Sequence, residues 1–206
     1  ILRETEGTDQ EATMLNKFIK ALESSVEDLQ TCRGINLVEA TNLEKLKRIV
    51  PQMRTTFITP LNPIFEKIKD KFHEFTESRN VKNGFTAAKW CVENGLYQQA
   101  ITILQENIVT MLCLEQNIDF KDENQRSLVN SAFNYYRLET PEHEWSFPYT
   151  TKEEIEVRKT IVQNLLRSES LKKLSSSFMV CTNIRNDFNH SGMRQNPSTA
   201  TKLKMN

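Results

Sequence analysis

Arg185 and His190 stand five residues apart in the stretch CTNIRNDFNHSGM, residues 181 to 193, and they are the pair in this chain whose types and placing could do chemistry. A guanidinium presents a fork of donors that fits an anion such as phosphate, and an imidazole can give or take a proton near neutral pH. Their setting makes the arginine conspicuous. Leu171, Leu174, Phe178, Cys181 and Phe188 recur at helical spacing, and Arg185 falls on the same seam. A charge there is costly unless paired, so an internal carboxylate, a dimer partner or an anionic ligand should meet it.

His190 comes just before Ser191-Gly192, which reads as a helix C-cap. The end of a helix favours a histidine cation by about 0.3 to 1 kcal/mol, a purely structural reason for it to be there. The same position keeps a proton available, as a general acid requires. Position alone leaves both readings open. The other two histidines read as ordinary residues: His73 follows Phe72 on a helix, and His143 lies in a proline-bearing loop between Glu142 and Glu144.

The elements that must hold these groups are helices throughout. Five glycines in 206 residues and few β-branched runs argue against sheets, and apolar residues recur at helical spacing along most of the chain. A first helix is expected from about Glu11 to Leu29, a second from Val38 to Val50 ending before Pro51, and a third carrying Ile64, Phe65, Ile68, Phe72 and Phe75. The polar SRNVKNG at 78–84 reads as a boundary. It separates an N-terminal helical segment, 1–82, from a helical core, 83–197, with a frayed tail at 198–206. Within the core, Asn94-Gly95 turns a helical hairpin, Leu128 to Tyr136 suits a short helix, and 137–150 reads as a loop. Thr151 and Glu154 form a capping-box pattern, and Ser170 is expected to open the last helix.

Composition narrows the function classes. Net charge is zero, but Lys and Arg outnumber Asp and Glu about two to one from Lys152 onward, while 91–151 is acidic. A basic C-terminal segment suits a polyanion, and equally a solvated face. Lys172 and Lys173 read as such a face unless RNA runs along it. Cys32, Cys91, Cys113 and Cys181 have neither disulfide nor zinc spacing, and read as reduced core thiols of a cytosolic protein. The first residues, ILRETEGTDQEATML, contain no apolar run long enough for a signal peptide or membrane anchor, and the chain reads as part of a longer protein. No glycine-rich phosphate loop, H-E-x-x-H helix or G-x-S-x-G elbow is present, and no metal or cofactor is implied.

The motif R-N-D-F-N-H, Arg185 to His190, resembles the R-x(4 to 6)-H motif of HEPN ribonucleases, in which a polar residue follows the arginine as Asn186 does. RLETPEH, Arg137 to His143, also fits the R-x(4 to 6)-H pattern, but its arginine is followed by Leu138 and Pro141 interrupts it. The text WCVENGLYQQAITILQENIVTMLC at 90–113, with IRNDFNHSGMRQNP at 184–197, is similar to the HEPN half of CRISPR-associated CARF-HEPN proteins, the ancillary ribonucleases of type III systems. The resemblance implies an all-α HEPN-type bundle with additional N-terminal helices, a homodimer, and a cytoplasmic, prokaryotic setting in antiviral defence. It implies metal-independent cleavage of single-stranded RNA by Arg185 and His190, with Asn186 orienting the imidazole from the same helix face and Arg194, Lys172 and Lys173 along the RNA. Cyclic oligoadenylate would act only through a sensor domain that this chain does not contain. The rival readings are a non-catalytic helical dimerisation or RNA-binding domain, and a helical scaffold. The former expects Arg185 to pair with an acidic side chain.

Overall fold

The helical spacing becomes ten α-helices, and no strand among the described residues, in the computed structural model, which describes residues 10–56, 61–147, 151–193 and 195–205. The chain packs as two compact units, 1–103 and 104–206. The dividing line runs through the sixth helix rather than through the polar stretch at 78–84.

In the first unit, α1 (Gln10–Gln30) packs along α3 (Leu43–Thr56), with α2 (Gly34–Glu39) in the connection. The expected single helix over 38–50 is two elements, because Ala40 closes α2 in the left-handed conformation at φ 59°. Nor does α3 stop before Pro51. Leu43, Leu46, Val50 and Met53 are buried at helical spacing, and their burial carries the helix through an exposed proline at the loss of one backbone bond. Asp28, 6% exposed, accepts from the side-chain amides of Asn36 at 2.7 Å and Asn42 at 2.8 Å, so one carboxylate ties α1 to α2 and to the start of α3. The unit continues through α4 (Asn62–Phe72) and α5 (Lys82–Glu93), and α6 (Tyr97–Glu115) begins after the Asn94-Gly95 turn, with Gly95 at φ 75°.

The second unit comprises the rest of α6, then α7 (Glu123–Leu138), α8 (Lys152–Arg167), α9 (Glu169–Asn189) and the short α10 (Ala200–Met205). The α7 helix is longer than Leu128 to Tyr136, because Asp122 caps it by accepting from the Asn124 and Gln125 amides. A 3-10 turn at Glu142–Glu144 lies in the expected loop. Thr151 and Glu154 form the capping box that opens α8. The N-cap of α9 is Ser168 rather than Ser170, and its hydroxyl also donates to Glu115 at 2.7 Å. Leu171, Phe178 and Cys181 bury the α9 seam, where Phe178 stacks on Phe133 of α7 with ring centroids 4.0 Å apart.

The tail departs from the frayed segment expected over 198–206. Ser198 is held by Asp187, and Thr199 caps α10 by accepting from the Lys202 amide at 3.2 Å. Those two bonds supply the partners that composition alone did not promise.

Candidate active site at the end of helix α9

Arg185 lies on the last turns of α9, half-buried, with its side chain 32% exposed. Its Nη1 donates to Gln105 Oε1 and to Glu106 Oε1, each at 3.1 Å. Of the three candidates for its partner, the internal carboxylate is therefore present, on α6. Glu106 does more than neutralise Arg185. Its other oxygen, Oε2, accepts from Arg126 Nη2 at 2.8 Å, and Arg126 also donates to the Thr110 hydroxyl and to the backbone oxygens of Glu106 and Phe120. Two guanidinium groups thus share one carboxylate, leaving one positive charge in excess within the cluster.

Gln105 fixes the geometry from the other side. It is buried, and its Nε2 donates to the Thr182 hydroxyl at 2.9 Å, so its Oε1 must face Arg185. Thr182 and Arg185 are three residues apart on α9 and present one face to Gln105. With only Nη1 engaged, the Nη2 and Nε edge of Arg185 has no partner among the described residues. That edge is the one a guanidinium uses for a two-point contact with a phosphate.

His190 is the C-cap residue and is exposed. The turn beyond it is a Schellman closure: Ser191 N–H donates to the Phe188 carbonyl and Gly192 N–H to that of Asp187, both at 3.0 Å. Ser191 at φ 52° and Gly192 at φ 72° make the left-handed exit, as the Ser-Gly pair led one to expect. The imidazole has no hydrogen bond among the described residues. Asn186, also exposed, lies one turn earlier without a side-chain bond to it.

The remaining expected residues are not gathered here. Lys172 and Lys173 sit in the first turn of α9, about 20 Å from Arg185 at 1.5 Å per residue. Lys172 donates to Glu169 at 3.0 Å, and that bond holds the Glu169 carboxyl below its ordinary value. Arg194 lies outside the described residues. The second arginine-histidine match is broken structurally: Arg137 lies in the last turn of α7, Glu139 turns left-handed at φ 50°, and the exposed His143 follows in the 3-10 turn beside Glu144. His73 caps α4, with its ring Nδ1 2.5 Å from the Asp70 carbonyl oxygen.

Glu106, Gln105 and Arg126 are what the motif does not name. A signal existed for Gln105, which interrupts the apolar positions of α6 as Arg185 interrupts those of α9. Among the described residues, no group of three His, Cys, Asp or Glu side chains could hold a metal ion, and no helix is long and apolar enough to cross a membrane. The chain matches no known family model, no curated protein and no solved structure.

Proposed function

We propose that this protein is a metal-independent endoribonuclease that cuts single-stranded RNA at a composite site built from two copies of α9, with a role in prokaryotic CRISPR type III defence. The observation that carries the reading is the unengaged edge of Arg185 on the same helix end as an exposed His190, in a cluster with one positive charge in excess. The sequence resemblance supplies the reaction class.

In this reading the ribose 2′-oxygen attacks the adjacent phosphorus and the bond to the 5′-oxygen breaks, leaving a 2′,3′-cyclic phosphate and a 5′-hydroxyl. Arg185 holds the phosphate oxygens on which charge builds. His190 protonates the departing 5′-oxygen, and the His190 of the second copy accepts the 2′-hydroxyl proton. Helical phase supports a site made by two chains. Five residues at about 100° each set Arg185 and His190 roughly 140° apart around one helix, an awkward arrangement for closing both on one phosphate.

The pairing of Arg185 with Glu106 favours a second reading, a non-catalytic helical dimerisation or RNA-binding domain whose arginine is satisfied internally. A cleavage assay on single-stranded RNA in EDTA separates the two, with cyclic-phosphate ends as the product sought. Cleavage lost in Arg185→Ala and His190→Ala supports the nuclease. RNA binding without cleavage, unaffected by either change, supports the second reading.

A further inference from the structure

Asp187, two residues after Arg185 and three before His190, is a carboxylate in the wrong place for a solvated helix end. It is 4% exposed. Oδ2 accepts the Ser198 amide at 2.7 Å, while Oδ1 is buried with no hydrogen-bond partner among the described residues. Its backbone carbonyl accepts the Gly192 amide at 3.0 Å. One residue therefore closes two rings, the tight one that ends α9 and a wider one that returns the chain to α9 at Ser198. Gly192 and Pro197 approach within that wider ring, so closely that a Cβ on Gly192 would lie 3.7 Å from Pro197 Cβ.

A buried carboxylate with one oxygen unmet is costly, and an apolar side chain of similar size would pack there more favourably. The bond it does make is charge-assisted and short. It is spent on tying down the segment that leaves the exposed histidine, whose imidazole has no hydrogen bond among the described residues to hold it. We infer that Asp187 is a positioning residue: its carboxylate tethers the chain at Ser198 and thereby fixes the turn that presents His190. The catalytic consequence rests on the ribonuclease reading, whereas the tether itself does not.

The test uses the full chain with Asp187→Ala, Asp187→Asn and Ser198→Pro. Asparagine keeps an oxygen that can accept from Ser198, alanine removes it, and proline removes the donor without touching α9. Amide hydrogen exchange at Gly192 and Ser198 reads the tether, the His190 imidazole resonances read its presentation, and kcat and KM on single-stranded RNA read catalysis. We expect Asp187→Ala to speed exchange at Ser198 at least tenfold, to broaden or split the His190 signals, and to lower kcat by ten- to a hundredfold with KM within twofold. Ser198→Pro should match it in the signals and in kcat, and Asp187→Asn should restore most of both.

Faster exchange with unchanged His190 signals overturns the inference, whether or not the parent cleaves RNA. So does an equal fall in kcat for the asparagine and alanine variants with Ser198 still protected, since charge and not position would then be responsible. If the parent is inactive, the ribonuclease reading fails, while disturbed His190 signals in Asp187→Ala and Ser198→Pro still support the tether. Should Asp187→Ala not fold, Ser198→Pro against the parent decides.

Discussion

Glu106 and Arg185 are joined across α6 and α9 by a 3.1 Å ion pair, while the second oxygen of the same carboxylate is taken by Arg126. The carboxylate does not cancel the arginine; it holds it by one corner. Glu106→Gln keeps one accepting oxygen and turns an NH2 donor toward the other arginine, so it should hold one guanidinium and lower the cleavage rate roughly tenfold, and Glu106→Ala roughly a hundredfold through misplacement of the guanidinium. The alanine variant should also lose about 1 to 3 kcal/mol of stability, since it strands partly buried donors. Single-turnover cleavage and urea unfolding measure the two effects, and equal rates in parent and Glu106→Ala would remove Glu106 from the site.

His190→Ala should abolish cleavage in EDTA, with a fall on the order of a hundredfold or more, while His143→Ala and His73→Ala leave it within twofold. His143 is exposed in a 3-10 turn and His73 caps α4, so neither shares a helix end with an arginine that has a free edge. Loss in His143→Ala alone would transfer the site to the Arg137 spacing.

Arg185→Lys keeps the charge and loses the fork. A lysine can reach Glu106 or a phosphate as a point charge but cannot hold Gln105, Glu106 and a ligand in one plane. We expect at least a tenfold fall in kcat from this variant, measured against a parent-like melting temperature. Full activity in Arg185→Lys would mean that the open edge is not used.

The thiols give the fold an alkaline limit. Burial pushes Cys91 up to about 12 and Cys113 up to about 11 from an ordinary 9.0, and raises Cys181 as well. A raised value in the folded state means that the unfolded chain gives up its proton first. Stability is therefore full below pH 9 and falls as pH climbs from 9 toward 11. By pH 10 the loss should be about 1 kcal/mol for each of Cys91 and Cys113, read as a shift in urea midpoint from pH 8. Cys91→Ala and Cys113→Ala should flatten that slope; an unchanged midpoint at pH 10 in the parent would contradict it.

How much of this was legible depends on what kind of signal each residue carries. Helix periodicity is written locally, so α1, the 94–95 turn and the Thr151–Glu154 capping box could be read directly, and Arg185 betrayed itself by sitting on an apolar seam. Its partners could not be read the same way. Gln105 and Glu106 lie about eighty positions earlier, and nothing local says which polar residue of α6 will face α9. Pro51 misled because a local rule was outweighed by the burial of Val50 and Met53 on either side. The anchored tail was hidden for a related reason, since the Ser198 partner is a side chain buried eleven residues away.

The scarcity of glycine noted at the outset has a cost where helices end. Cys32, Ala40, Asn117, Glu139 and Ser191 all sit at φ between 50° and 59°, in the region glycine occupies freely. Each carries conformational strain of about 1 kcal/mol. Glu139 at the close of α7 is exposed, and the cap bonds it makes come from its backbone N–H, which glycine keeps. Stability is therefore left to be gained at the exit of α7 by the single substitution Glu139→Gly, whereas Ala40, with a side chain fully buried, has packing to lose.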